Sequence, residues 1–490
     1  MMKLLDSTLN SLPSDVAVPQ YDRSCLTPGI VHIGLGNFHR AHQAWYLHRL
    51  MQMGLAHDWA IIGAGVRPGD EVMRVKLAAQ DYLTTLIELS PGQRRVEVIG
   101  SMIGFVPVQQ GHQALIEQMA DPAIRIVSLT VTEGGYYIDV ASKGFDAQHP
   151  DMQHDASLPE RPLTAFGAMI AALKRRRDAG VAPFTCMSCD NLQGNGKVLR
   201  QTVVSLAKLS DPDLALWIES QVSFPNSMVD SIVPATGAQE LALVAELGIE
   251  DQAPVTHENF RQWVIEDQFC AARPPWEKVG ATLAADVHAY ETMKIRILNG
   301  GHQVIAAAGD LLGLETISAC MRDPLIGQLY ERVLQGEIVP HVQAVPGMTA
   351  PAYVALIRER FANPAILDTT RRVAFDGSSR QPGFILPSVR DCLQAGIAPD
   401  GLALVCAVWA RYCLGTREDG STIQPNDPYW DQLQARALQA RACPRHWLEN
   451  SAVYGELVDE PEFATRFEHW FGALIIDGVR ATLLQYLAQS

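Results

Sequence analysis

The hydrophobic rhythm of the chain changes part-way along. Over the first half, short near-continuous apolar runs alternate with stretches of helical period. Gly29-Ile30-Val31-His32-Ile33 is a strand candidate running into Gly34-Leu35-Gly36, and a helix is expected from about Arg40 to Met53. Further strands are expected at Trp59 to Val66, Arg95 to Met102, Ile124 to Thr132 and Phe184 to Cys189, with an amphipathic helix at Ala165 to Arg177. Strands apolar on both faces and separated by helices predict a parallel sheet covered on each side. From about Val287 the period is mostly helical: Tyr290 to Leu298, Pro324 to Leu334, Thr349 to Phe361, Leu402 to Leu414, Gln432 to Ala442 and Phe467 to Leu487. Turn-forming pieces such as Pro399-Asp400-Gly401 separate several of these. The pattern predicts two domains, an α/β domain over 1–285 and a mostly helical one over 286–490.

Composition narrows the function. With 490 residues, 48% of them apolar and 19% charged, the chain has material for large cores and is not a disordered protein. Its 39 Lys and Arg against 54 Asp and Glu leave a formal charge of −15. Such a surface repels phosphate backbones and anionic lipid, so neither a nucleic-acid nor a membrane partner is expected. No apolar run reaches the roughly 18 residues that span a bilayer. The opening Met1-Met2-Lys3-Leu4-Leu5-Asp6 has no signal-peptide pattern, and a cytoplasmic protein is expected. The nine cysteines are scattered. One pair, Cys186-Met187-Ser188-Cys189, has the spacing of half a zinc site, but no second pair lies near enough in sequence to complete four ligands. It also ends an apolar strand, so a structural role is favoured.

Candidate chemistry begins at the first strand. Gly34-Leu35-Gly36-Asn37-Phe38-His39 offers glycines for a tight turn and close approach to a pyrophosphate, followed by a helix N-terminus that favours negative charge. His39 stands where the usual fingerprint has its third glycine, so the turn also fits an ordinary strand–helix connection. After the second strand comes Arg67-Pro68-Gly69-Asp70. Asp70 can accept hydrogen bonds from a ribose 2′-OH and would repel a 2′-phosphate, which favours NAD over NADP, while Arg67 argues slightly the other way.

A second constellation lies in Tyr290-Glu291-Thr292-Met293-Lys294-Ile295-Arg296-Ile297-Leu298-Asn299-Gly300-Gly301-His302. On a regular helix, with Lys294 at 0°, Glu291 falls near ~60°, His302 near ~80° and Asn299 near ~140°. Ile295 and Leu298 share that arc, so it is not a plain solvated face, and polar groups on a buried face are paired or serve a ligand. The plainer reading is a surface helix stopped by Gly300-Gly301, with His302 just beyond. Alcohol oxidation by a nicotinamide needs a base for the hydroxyl proton. A lysine starts near ~10.4 and must come down to serve; burial and an adjacent positive nicotinamide both act that way. A fall of about two units is worth roughly 2.7 kcal/mol. Amide side chains could donate to the developing alkoxide.

At this point the chain resembles the polyol-specific long-chain dehydrogenases, the mannitol dehydrogenase family, over nearly its whole length. The resemblance is carried by Ile33-Gly34-Leu35-Gly36-Asn37-Phe38-His39-Arg40-Ala41-His42-Gln43-Ala44, Thr130-Val131-Thr132-Glu133-Gly134-Gly135-Tyr136 and Ser188-Cys189-Asp190-Asn191. Phe224-Pro225-Asn226-Ser227-Met228-Val229-Asp230 and the lysine segment complete it. It implies a Rossmann-type N-terminal domain, a helical C-terminal domain, a cleft between them and metal-independent catalysis. By motif, Lys294 is the general acid/base, Asn191 and Asn299 polarise the reacting oxygen, and His302 binds a substrate hydroxyl and orients the lysine. Asp230 supports the electrostatics, and Glu291 moves protons between lysine and solvent. Cofactor contacts fall on Gly34, Gly36, Asn37, Phe38, His39, Arg40, Asp70, Glu133, Asn191 and Asp230. Substrate contacts fall on Asn191, Lys294, Asn299, His302, Arg372 and Arg380. Three positions depart from the family pattern: Arg380 where lysine is common, Gly69 where a glutamate can stand, and Gly301 where serine is common.

The resemblance implies an NAD-dependent oxidoreductase that interconverts a polyol and its ketose, D-mannitol and D-fructose foremost, as a monomer or weak homo-oligomer. Reduction of fructuronate or tagaturonate, with Arg372 or Arg380 as carboxylate partner, and arabinitol or sorbitol oxidation are rivals within the family. A non-catalytic NAD sensor is a rival of another class, and retention of the lysine, both amides and the histidine argues against it. A zinc-dependent alcohol dehydrogenase using Cys186 and Cys189 is a weaker one.

Overall fold

Five apolar runs lie side by side as a parallel sheet: β1 (Pro28–Ile33), β2 (Ala60–Ala64), β3 (Met102–Phe105), β4 (Ile126–Leu129) and β5 (Thr185–Ser188). In this computed structural model, which describes residues 1–139 and 144–489, their order is β3-β2-β1-β4-β5. The chain therefore builds outward from β1 on one side and then returns to the other. In such a doubly wound sheet the loops leaving the two strands at the reversal, β1 and β4, part to open a crevice at their carboxyl ends. Alternate side chains feed two cores. Val31, Ile33, Val127 and Leu129 join Phe166 and Leu173 on one face, while Ile30, Ile61 and Ile126 join Leu47 and Trp263 on the other. The expected helix at Ala165 to Arg177 is present as Ala165–Asp178.

Two elements expected in the first half of the chain are divided. The run Arg95 to Met102 is two strands, because the chain turns at Gly100-Ser101. Gln93–Ile99 pairs antiparallel with Thr84–Ser90 in a separate four-stranded sheet, and only Met102–Phe105 enters the parallel one. A Cβ on Gly100 would lie 2.7 Å from Arg23 Cδ, and the Ser101 hydroxyl donates to Ala44 O at 2.7 Å. The helix expected at Arg40 to Met53 starts earlier, as α1 (Asn37–Ala41) and α2 (Gln43–Gln52), and breaks at His42 (φ −120, ψ −92), whose Nε2 donates to Gln262 O at 2.9 Å.

The chain divides into two units, Met1–His288 and Ala289–Ser490. The second is largely helical. Its buried Asp400–Tyr412 helix packs along Pro461–Ile476. The helix expected over Phe467 to Leu487 is interrupted by Gly478 (φ +82), where the Val479 amide donates to Glu418 Oε2 at 3.0 Å.

Gly300-Gly301 does not end the lysine helix. His288–Met293 runs into a π-helical stretch, Lys294–Asn299, and then into Gly300–Leu311, in which His302 sits. A Cβ on Gly301 would lie 2.9 Å from Tyr330 Cε2, so this glycine serves close packing against the Pro324–Val333 helix. Two more π-helical stretches, Leu334–Ile338 and Gln381–Ile385, pack on Lys294–Asn299. Among the described residues no helix is long and apolar enough to cross a membrane.

Candidate active site

The turn after β1 is dictated by close approach. Gly34 has φ +90, and a Cβ there would lie 2.1 Å from Thr130 O, so no other residue fits. At Gly36 a Cβ would meet nothing within 4 Å. The outer face of the turn is therefore open, as a pyrophosphate cradle requires. Asn37 and Arg40 brace it from within. Asn37 Nδ2 donates to Pro234 O at 2.9 Å and Thr236 Oγ1 at 2.8 Å, and its Oδ1 accepts from Arg40 Nη2 at 2.6 Å. Arg40 is fully buried and also donates to the carbonyls of Gly36 and Ala253. Burial pushes its guanidinium down to about 10, which leaves it charged at neutral pH. Phe38 stacks on His42, with ring centroids 4.9 Å apart.

His39 lies flat on His32, centroids 3.4 Å apart. Hydrogen bonds assign the tautomers. The Thr130 hydroxyl donates to Gly34 O at 2.7 Å, so it accepts from His32 Nε2 at 3.0 Å, and His32 Nδ1 accepts from Ser128 Oγ at 2.8 Å. The Gln43 amide bridges His39 Nδ1 (3.2 Å) and His42 Nδ1 (3.1 Å). His39 Nε2 is left buried without a hydrogen-bond partner among the described residues. Burial holds His32 down to about 3 and His39 well below the usual imidazole range, so the stack is neutral.

Asp70 opens the helix after β2 (Asp70–Ala78), and its Oδ2 accepts from the amides of Val66 (3.0 Å) and Arg67 (2.9 Å). This fixes the carboxylate at the carboxyl end of β2, where a ribose partner is needed. Beyond β4, Thr132 has φ +68 and ψ 163, a conformation that costs a non-glycine residue about 1–3 kcal/mol. Asp190 holds that loop. Its carboxylate accepts from the amides of Val131 (3.0 Å) and Thr132 (2.9 Å) and from Tyr136 Oη (2.6 Å). Asp190 thereby ties the loop after β4 to the loop after β5, where Asn191 is exposed. Asn195, fully buried, links the Asp190 and Ser227 carbonyls at 3.0 and 2.7 Å. Ser227 begins β6 (Ser227–Asp230), which ends at the buried Asp230. Glu133 lies in the turn Glu133–Tyr136, but its side chain is outside the described residues.

In the second unit, Glu291, Lys294 and Asn299 are all buried. The π-helical stretch changes their relation. Because its hydrogen bonds span i to i+5, Asn299 stands one wide turn above Lys294, rather than ~140° around as on a uniform α-helix. Amine and amide thus emerge on one side. His302 stacks on Phe361 at 4.1 Å, and its Nε2, 3.8 Å from Asp368 Oδ2, has no hydrogen-bond partner among the described residues. Burial pushes this imidazole down to about 3, opposed by Asp368, so it is neutral near pH 7. Arg372 Nε and Nη2 donate to the two Asp368 oxygens at 2.6 and 2.7 Å. Arg380 Nη1 donates to Val373 O at 2.6 Å.

Asp190 and Asp368 were not singled out by the sequence reading. The first lies inside the quoted Ser188–Asn191 segment, and the second stands four residues before Arg372, a spacing that favours ion pairs. Cys186 and Cys189 are buried thiols pushed up by burial. Among the described residues no three His, Cys, Asp or Glu side chains are grouped to hold a metal ion.

A doubly wound sheet with an open glycine turn at its reversal, followed by a helical unit carrying a buried lysine, defines a Rossmann-type dehydrogenase. Comparison with known proteins is in accord. The mannitol dehydrogenase Rossmann domain model matches residues 28–278, and the mannitol dehydrogenase C-terminal domain model matches residues 286–475. The mannitol 2-dehydrogenase of Cereibacter sphaeroides is 56% identical, covering 96% of this chain and 99% of that one. That of Aspergillus terreus is 39% identical, covering 96% of each. Among solved structures, the Pseudomonas fluorescens mannitol 2-dehydrogenase ternary complex with NAD and D-mannitol superposes with a TM-score of 0.90 at 41% identity over the full length of both chains. A D-sorbitol dehydrogenase in substrate-free form gives 0.89 at 36% identity, over 98% of this chain and all of that one. The chain belongs to the mannitol dehydrogenase family. The Rossmann-type and helical domains expected from the sequence are both present.

Proposed function

We propose that the chain interconverts D-mannitol and D-fructose with NAD, by lysine acid/base catalysis. The observation that carries this is the π-helical turn that stacks buried Asn299 over buried Lys294 one turn from His302 and its unpartnered Nε2. That arrangement supplies a proton acceptor, an amide donor for the reacting oxygen and an anchor for a neighbouring hydroxyl. Full-length similarity to mannitol 2-dehydrogenases, one of them in complex with NAD and D-mannitol, supports the choice of substrate and cofactor.

The nucleotide fits the first unit. Gly36 leaves room for a pyrophosphate, and the fixed Asp70 carboxylate suits a ribose diol and disfavours a 2′-phosphate. Asn37 and Arg40, bonded to one another and to neighbouring carbonyls, shape the turn, and Phe38 and His39 line it from within; Glu133, Asn191 and Asp230 complete the proposed contacts. When bound, NAD accepts the hydride from the carbinol carbon. Lys294 Nζ takes the hydroxyl proton, the amides of Asn191 and Asn299 donate to the oxygen as it gains charge, and His302 holds a second hydroxyl. Asp230 tunes the local field, and Glu291, three residues before Lys294, passes the proton onward. Arg372 and Arg380 hold the far end of the substrate. The residues and the two domains in these roles are our assignment, as are a cytoplasmic location and a monomeric or weakly self-associating state.

A panel of D-mannitol, D-sorbitol, D-arabinitol and D-mannonate, each followed by NADH absorbance with NAD and with NADP, tests the reading. D-mannitol with NAD should give the highest kcat/KM. The D-sorbitol dehydrogenase of similar fold makes D-sorbitol the second candidate, and a higher kcat/KM for it would replace D-mannitol.

A further inference from the structure

The uronate and aldonate rivals carry a terminal carboxylate where the neutral polyols and ketoses have a hydroxymethyl group, and the structure bears on that difference through a residue with no assigned role. We propose that Asp368 is a positioning residue that sets substrate selectivity: by occupying the fork of Arg372 it makes the site take neutral polyols and reject aldonates and ketouronates. The inference rests on the mannitol reading above and deepens it.

Asp368 is 5% exposed, and both of its oxygens are taken by Arg372, through Nε and Nη2. Those two donors form the edge by which a guanidinium recognises a carboxylate in parallel fashion. The pair is asymmetric. The Arg372 side chain is 60% exposed while that of Asp368 is 7% exposed, so the carboxylate anchors the arginine from behind and the guanidinium presents Nη1 outward. A hydroxyl needs only one such donor and no net charge. A substrate carboxylate needs the charge, and Asp368 offsets that of Arg372. At one effective dielectric, a carboxylate about 4 Å from the guanidinium and about 6.5 Å from Asp368 loses roughly 60% of its attraction to repulsion.

The location suits selectivity. Asp368 Oδ2 lies 3.8 Å from Nε2 of His302, the proposed hydroxyl anchor. Arg360 and Arg380 also bear on His302, and Asp368 is the carboxylate that opposes them and Arg372 there. Arg380 donates to Val373 O. Removing the Asp368 charge leaves Arg372 as an uncompensated cation beside the substrate anchor.

The test compares kcat/KM for D-mannitol and for D-mannonate, which is mannitol with one terminal carboxylate, in wild type, Asp368→Asn and the double variant Asp368→Asn/Arg372→Gln. We expect the mannonate-to-mannitol ratio to rise at least tenfold in Asp368→Asn, mainly through a lower KM for mannonate, and to fall back in the double variant. A ratio within twofold of wild type, or loss of both activities with NADH binding intact, overturns the proposal. Should Asp368→Asn not fold, judged by circular dichroism and NADH fluorescence, Asp368→Ser is read by the same ratio, and KM for mannonate against salt in the wild type provides a check without substitution: a steep fall in KM at low salt would show an uncancelled cation and also overturn it. Failure of the underlying reading is separately visible, since it appears as a wild type that oxidises no mannitol.

Discussion

Lys294 is the residue on which the proposed chemistry turns. Lys294→Ala should lower kcat by a factor of about 10² to 10⁴ or more, the range of a lost general base, with NADH affinity within about twofold of wild type. Stopped-flow absorbance and protein fluorescence read the two quantities, and turnover equal to wild type would remove the lysine from the mechanism. Asp190 is its counterpart in the first unit. It satisfies two amides and a tyrosine hydroxyl and holds Thr132 in a strained conformation. Asp190→Ala should cost about 2–4 kcal/mol of stability, because buried donors lose their acceptor, and should weaken NADH binding by releasing the loop. An unchanged melting temperature would show the loop to be held by other contacts. Both residues stand in the quoted motifs, yet only the lysine was legible as chemistry. A carboxylate acting on backbone amides is not distinguishable in sequence from one acting on a ligand.

The glycine turn offers a matched pair of substitutions. Gly34→Ala places a methyl group 2.1 Å from Thr130 O and forces a positive φ on alanine, so it should both destabilise the protein and abolish NADH binding. Gly36→Ala meets nothing within 4 Å, so its melting temperature should stay within about 2 °C of wild type while NADH affinity falls at least tenfold. If Gly36→Ala binds NADH normally, the pyrophosphate does not pass over this turn. Periodicity located β1, β2, β4 and β5 because their residues are buried almost throughout, and it missed all but the first residue of the less buried β3. It could not see that Arg95 to Met102 is two strands, since an apolar run continues through a bend fixed by the distant contacts of Gly100 and Ser101. It left a stop at Gly300-Gly301 open as the plainer alternative, because local propensity favours one. The structure keeps the helix going, because the cost of these glycines is offset by close packing, Gly301 on Tyr330 and Gly300 against the Phe384 carbonyl.

Over the whole molecule, buried neutral histidines make stability depend on acidity. His32, His257 and His302 are each held down to about 3 by burial. Unfolded, each titrates near ~6.5, so below that pH the unfolded chain binds more protons and stability falls as pH drops toward 3, by up to about 1.4 kcal/mol per pH unit per histidine. Glu337 opposes this between about 4.5 and 7, because burial pushes its carboxyl up to about 7 while it accepts from the amides of Gly401 and Leu402. The melting temperature should therefore decline gently from pH 6.5 to 4.5 and more steeply below. His32→Gln should flatten the decline, and an unchanged pH dependence in that variant would sink the account.

The three wide turns, Lys294–Asn299 with Leu334–Ile338 and Gln381–Ile385 packed on it, carry a consequence for how this chain can vary. Each holds one more residue per turn than its flanks require, so side chains there can be exchanged while the count cannot. A single-codon deletion within any of them would rewind the backbone and swing the groups on either side out of phase. Drift in this family should accordingly be written in spelling at those stretches and almost never in length.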